Sequence, residues 1–274
     1  MTIQPYRTDD ERSRIVRFPS IRLLALCVTM LLTAMTLRAQ DNDLILYYDY
    51  ETLDAKAIDL SGKGHDGVVK GKITLEAGKH GNAARFTAMS YIDVDGPNWP
   101  ADQIPRKGMS VLAWINCDNQ ADNAIFNARA TDATWVVHPE FRADGNFRWL
   151  LRGDGGVTLF DIRAGKSSPK TWFHYAGVYD SSEGVARLFI NGVEVSSVNN
   201  IAGSIAKDWG QGARVGLNID NARPFTGLMD DLNVWKRGLT LDEVKTIMEF
   251  GPLPQAVSAK GKLATTWSRL RRSL

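Results

Sequence analysis

Arg187-Leu188-Phe189-Ile190-Asn191-Gly192-Val193-Glu194-Val195 reads as two strand arms about a two-residue turn. Asn-Gly suits a type I′ hairpin, because both central residues take positive φ and follow the twist of the flanking strands. Upstream, Tyr179-Asp180-Ser181-Ser182-Glu183-Gly184-Val185 is a longer polar turn, so three antiparallel strands are predicted in succession from Trp172 to Val195. Alternation places Trp172, His174, Ala176 and Val178 on one face of the first of these, and Phe173, Tyr175 and Tyr179 on the other. A histidine among such positions is expected to be a hydrogen-bonded core group rather than a ligand.

The same pattern extends back towards the amino terminus. Leu44 to Tyr48, Tyr91 to Val94, Ser110 to Ile115, Thr134 to Val137, Phe147 to Leu151 and Val157 to Phe160 are short runs rich in β-branched and aromatic residues. Gly, Asn and Asp bound them, and such a series without helical periodicity predicts an antiparallel sandwich or barrel. One helix interrupts it. Thr240-Leu241-Asp242-Glu243 is a capping box, Leu241, Val244, Ile247 and Met248 follow on one face, and Gly251-Pro252 ends the element.

Composition locates the parts. The 274 residues are 44% hydrophobic and 23% charged with a net charge of +2, which excludes disordered and collagen-like chains. That charge is unevenly spread. Residues 1–40 contribute +3, residues 41–254 hold 28 acidic against 22 basic residues, and residues 255–274 contribute +5. An acidic body argues against nucleic acid as partner, since phosphate neutralisation needs clustered Lys and Arg. Leu23 to Leu37 is an uncharged apolar run behind Arg7, Arg12, Arg14, Arg17 and Arg22. It is short for a membrane span and reads as an export signal over 1–40, cut after Ala39 or Gln40, with an uncleaved anchor as the alternative. The mature form would then have no span, a domain over 41–252 and a basic tail over 253–274. Cys27 lies in the signal, so Cys117 is the lone mature cysteine, expected to be a small buried hydrophobe, and no intramolecular disulfide can form.

Catalytic signatures are sparse. Gly-x-Ser-x-Gly, His-Glu-x-x-His and phosphate loops are absent from the sequence. Of the glutamates after residue 40, only Glu51 stands two residues from another acid, Asp49, in a strand-like run, where a turn or cation role is expected. Among acids suited to a hard cation, Asp49, Glu51, Asp59, Asp93, Asp95, Asp230 and Asp231 are the candidates. For ligand binding, Trp135 to Arg152 is the most informative stretch. Alternation sets Arg148 and Arg152 opposite Phe147, Trp149 and Leu151, so the two arginines either face solvent or meet an acidic or hydroxyl-rich ligand. Trp99, in Pro97-Asn98-Trp99-Pro100, is expected to be an exposed loop aromatic.

From Leu44 to Glu249 the chain resembles the laminin-G-like, concanavalin A-like jelly-roll family. The resemblance is carried by Ala57-Ile58-Asp59-Leu60-Ser61-Gly62, by Gly78-Lys79-His80-Gly81-Asn82-Ala83-Ala84-Arg85-Phe86, by Met109 to Ile115, by Trp172 to Gly192, and by Phe225 to Trp235 with the capped helix. It implies an all-β fold of two antiparallel jelly-roll sheets with one short carboxy-terminal helix. It also implies adjacent terminal strands and a structural calcium held by Asp59 and Asp231. The glucanase strand Glu-x-Asp-x-Glu is absent. The expected function is that of an exported, non-catalytic binding protein for a glycan or cell-surface polymer, with Arg148, Arg152 and Trp99 at the ligand. An adhesion domain binding protein and a polysaccharide-cleaving enzyme are the alternatives, because this sandwich serves many functions.

Overall fold

The computed structural model describes residues 42–95 and 99–253, together with Met1. The expected export segment and nearly all of the basic tail lie outside the described residues. In chain order the first strands are β1 Leu44–Tyr48, β2 Lys56–Ala57, β3 Gly67–Lys70, β4 Ile73–Ala77, β5 Asn82–Phe86 and β6 Tyr91–Val94. Then follow β7 Gly108–Cys117, β8 Asn123–Ala124, β9 Phe126–Arg129, β10 Trp135–Phe141, β11 Phe147–Arg152 and β12 Thr158–Ala164. The last are β13 Phe173–Asp180, β14 Val185–Ile190, β15 Val193–Val198, β16 Ala213–Val215 and β17 Gly227–Trp235, before helix α1 Leu241–Phe250.

These strands form two antiparallel sheets. The eight-stranded sheet runs β15-β14-β13-β7-β17-β5-β4, with β1 also on β17. The nine-stranded sheet runs β12-β11-β10-β9-β16-β6-β3-β2, with β8 on β10. The Asn-Gly hairpin behaves as its sequence predicts: Ile190 pairs with Val193, and Asn191 and Gly192 have φ of 53° and 72°. The first and last strands, β1 and β17, are neighbours.

Alternation fills the space between the sheets. Val111, Ala113, Ile115, Tyr175, Tyr179, Leu188 and Met229 of one sheet share a core with Phe126, Val137, Phe147, Trp149, Leu151 and Phe160 of the other. Burial of such side chains at roughly 1.5–3 kcal/mol each drives the assembly. Polar tips inside the core find partners across it: Trp149 Nε1 donates to the Val178 carbonyl at 3.2 Å and Tyr175 Oη to the Arg148 carbonyl at 2.9 Å. Gly177 lets the sheets pack closely, since a Cβ there would stand 2.6 Å from the Trp149 ring. Cys117 is a free, buried thiol.

Helix α1 begins as predicted. Thr240 accepts from the Glu243 amide while Glu243 accepts from the Thr240 amide. Its Val244 and Ile247 pack on Leu112, Ala176, Val178, Phe189 and Trp235, closing an apolar layer on the outside of the eight-stranded sheet. In β17 a bulge inserts an extra residue between Met229 and Leu232, both core residues, so Asp230 and Asp231 leave the core together; Asp231 has a φ of 50°. Among the described residues no helix is long and apolar enough to cross a membrane.

Several short strands lie beyond the sequence expectation, among them β4, β9 and β16. Each is three to five residues long with a mixed pattern, and each is completed by register with longer neighbours.

Candidate functional site

The outer face of the nine-stranded sheet is polar. In β10, Val137 and Phe141 enter the core, so His138, Glu140 and Arg142 point outward. In β11 the same rule sends Arg148, Leu150 and Arg152 outward, and register places Glu140 beside Arg148. Glu140 is wholly buried and sits among three guanidinium groups: Arg142 at 2.8 Å, Arg223 at 3.1 Å and Arg148 at 3.4 Å. Arg148 also holds Asp161 through two parallel bonds of 2.7 and 2.8 Å. His138 Nδ1 lies 3.0 Å from Glu140.

This arrangement settles the protonation of the cluster. Desolvation raises the Glu140 pKa, but the His138 bond and the Arg223 and Arg148 charges outweigh it and hold the carboxyl at about 2. Burial lowers the His138 pKa, leaving a neutral ring at neutral pH. Its Nδ1 then carries the proton donated to Glu140, and its Nε2 is an acceptor with no partner; Arg142 Nε is a buried donor without one. An arginine-bound Glu140, ionised at neutral pH, has no proton to give there as a general acid.

Beside this network lies a row across β9, β10 and β11. Arg129 stacks on the Trp135 ring at 4.5 Å and donates through Nε to the Ala133 carbonyl at 2.7 Å. Arg152 donates through Nη1 to the Trp135 carbonyl at 3.1 Å. All three residues are half-buried.

The outer face of the eight-stranded sheet is built differently. Beyond the apolar layer under α1, Trp114 donates to the Met248 carbonyl at 3.2 Å and meets His174 edge-on. His174 is buried as expected, but its Nδ1 has no partner, and burial together with the His80 charge lowers its pKa to about 3. Asp230 accepts from the amides of Lys79 at 2.8 Å and His80 at 3.0 Å, while desolvation and the Asp231 charge raise its pKa to about 7.

The predicted site residues fare unevenly. Arg148 and Arg152 share the polar face, opposite Phe147, Trp149 and Leu151, as alternation requires. Arg148, however, is only 8% exposed and bound to two carboxylates, so it organises the face rather than standing free on it. Trp99 is corrected from exposed to buried: it is 6% exposed, stacks on His65 at 4.2 Å and leans on Trp209 at 5.0 Å. His65 is fixed there by contacts to Asp95 and Gln103.

Asp59 and Asp231 do not converge on one ion. Asp59 accepts from the amides of Tyr47, Ser61 and His65 and from the Ser61 hydroxyl. Asp231 takes the Tyr47 hydroxyl at 2.7 Å and faces His80 Nδ1 at 2.6 Å. The length of Tyr47 stands between the two carboxylates, and hydrogen-bond donors occupy the oxygens that a shared calcium needs, so the pair does not fit it. Among the described residues no three His, Cys, Asp or Glu side chains gather as a metal set.

Sequence reading missed Glu140, His138, Trp135, Arg129, Arg142 and Arg223. A signal was present for three of them, because His138-Pro139-Glu140-Phe141-Arg142 alternates as a strand does. Arg223 comes from a distant loop and carried none.

A family model described as the concanavalin A-like lectin/glucanases superfamily matches residues 89–245. Among solved structures, the binding domain of Paraclostridial mosquitocidal protein 1 is similar at 17% identity and a TM-score of 0.59, over 76% of this chain and 52% of that one. Domain 4 of an extracellular arabinanase from Geobacillus stearothermophilus, solved in complex with arabinotriose, is similar at 21% identity and a TM-score of 0.55, over 75% and 98%. The receptor binding domain of a botulinum neurotoxin C/D mosaic serotype is similar at 15% identity and a TM-score of 0.56, over 76% and 51%. The chain thus spans about half the length of the two toxin domains. At these identities the likeness is one of fold. No curated protein sequence matches the chain.

Proposed function

The chain belongs to the concanavalin A-like lectin/glucanase superfamily, and on that premise we propose that it is an exported, non-catalytic module that binds a glycan on the outer face of its nine-stranded sheet. The carrying observation is the contrast between the two outer faces. Helix α1 closes an apolar layer on one. The other presents the half-buried Trp135, Arg129 and Arg152. Sugar hydroxyls accept from guanidinium donors, and Trp135 adds apolar surface for a sugar ring.

Three further points support the reading. The arabinanase domain was solved with a bound oligosaccharide and the toxin domains are named for binding. Glu140 lacks the proton a glycosidase acid must carry. The arginine-flanked apolar run Leu23 to Leu37 supports export.

Affinity electrophoresis of the full chain through gels containing single polysaccharides tests the proposal. At least one polymer is expected to retard it, Trp135→Ala to abolish the retardation, and no new reducing ends to appear on incubation. Free migration in every gel, or steady release of reducing ends, overturns it.

A further inference from the structure

The polar face carries an excess of positive charge on a body of the opposite sign. Residues 41–254 hold 28 acidic and 22 basic residues. Over β9 to β12, by contrast, Arg129, Arg142, Arg148, Arg152, Arg163 and Arg223 meet only three carboxylates. Asp122, Glu140 and Asp161 pair with four of these arginines. Among the described residues the remaining two, Arg129 and Arg152, bond backbone carbonyls alone, of Ala133 and Trp135.

Those two stand in one row with Trp135. Arg129 pairs in register with Trp135, and Arg152 reaches the Trp135 carbonyl from the neighbouring strand. Arg129 uses Nε for its carbonyl, so both of its terminal nitrogens keep their donors, and the Trp135 ring holds the guanidinium plane in place. A guanidinium fork of this kind matches a carboxylate or a sulfate through two parallel bonds, which an ammonium cannot do. Two half-buried arginines with no ion-pair partner among the described residues, one stacked on the Trp135 ring and one on its backbone carbonyl, suit an anion attached to an apolar ring face.

Resting on the glycan reading of this face, we propose that the ligand is an anionic glycan whose carboxylate or sulfate is bound by Arg129 and Arg152 beside Trp135. The buried Glu140 network keeps Arg148 and Arg142 in place behind the row and engages their guanidinium groups with carboxylates, which those of Arg129 and Arg152 lack among the described residues. The acidic group therefore sits at the Trp135 end of the face, and the neutral part of the chain lies towards His138.

Calorimetric titration of the full chain with two matched polymer pairs tests this: polygalacturonate against its fully methyl-esterified form, and dextran sulfate against dextran. At least one acidic polymer is expected to bind tenfold or more tightly than its neutral counterpart. Polygalacturonate alone binding identifies a uronate as the anion, dextran sulfate alone a sulfate ester, and both the anion class. Arg129→Gln and Arg152→Gln are each expected to weaken acidic binding about tenfold, with Arg152→Lys falling between. Lys79→Gln, on the opposite face, is expected to leave it unchanged. Thermal melts confirm that each variant is folded. Equal affinity for acidic and neutral members overturns the anionic assignment and leaves the glycan reading standing. No binding to any polymer, acidic or neutral, overturns both. Acidic binding that survives Arg129→Gln, Arg152→Gln and Arg152→Lys overturns the assigned site.

Discussion

Glu140 and Asp230 are both wholly buried, one on each outer face of the sandwich, and they titrate in opposite directions. Glu140 is held at about 2 and Asp230 at about 7. Desolvation acts alike on both; the neighbours decide the outcome. Three arginines surround Glu140, whereas Asp230 meets two backbone amides and a second acid, Asp231. Burial alone therefore does not say whether a carboxylate is charged. The charge around it does, and here that separates a carboxylate held ionised by arginines from one pushed towards its neutral form by a second acid.

The sharpest way to break this comparison is to remove Glu140. Glu140→Ala leaves three guanidinium groups crowded without their anion and is expected to cost about 3–5 kcal/mol in urea unfolding at pH 7. A loss under 1 kcal/mol would mean that the network is ornamental. On the other face, Ile247→Ala opens a gap under α1 and is expected to cost about 2–4 kcal/mol in the same measurement.

The pH response distinguishes the two carboxylates directly. The folded pKa of Glu140 lies below its unfolded value near 4.5, so its contribution is complete above that value and fades as pH falls towards 2. The folded pKa of Asp230 lies above its unfolded value of 3.8, so its contribution is complete below 3.8 and is lost as pH rises through about 7. Asp230→Asn is accordingly expected to gain on wild type between pH 5 and pH 8, on the order of 1–3 kcal/mol, in paired unfolding curves. An unchanged difference between the two pH values refutes this account of Asp230.

Smaller effects complete the series. Thr240→Ala removes the cap of α1 and is expected to cost about 1 kcal/mol, seen as a modest fall in Tm. Addition of a chelator is expected to leave Tm unchanged, because Asp59 and Asp231 are satisfied by protein donors. A clear fall in Tm would restore calcium to the ends of the sheets.

Much of the fold was legible from local patterns. The Asn191-Gly192 turn, the alternation around Trp149 and the Thr240 box each depend on residues within a few positions of one another, and each appears where its sequence places it. The site was less legible. Trp135 to Arg152 was recognisable as the stretch to watch, and the side of the sheet on which Arg148 and Arg152 lie followed from period-two alternation. Their roles did not follow, because a strand's pattern tells which face a side chain takes and not what stands beside it. Trp99 shows the same limit from the other direction: its proline-flanked setting reads as an exposed loop, yet His65 and Trp209, both distant in sequence, cover it.

Local sequence is enough to specify the strand arms, the tight hairpin, the capped helix and the division of each strand into an inward and an outward face. These rest on backbone preference and side-chain period, which act over neighbouring residues. It took the packed sandwich to bring Arg223 to Arg142 and Arg148 around Glu140, to hold Asp59 and Asp231 apart on either end of Tyr47, and to set Arg129 and Arg152 about Trp135 with no ion-pair partner among the described residues. Sheet register and loop return bring those groups together, and electrostatics becomes decisive only at the distances that packing sets.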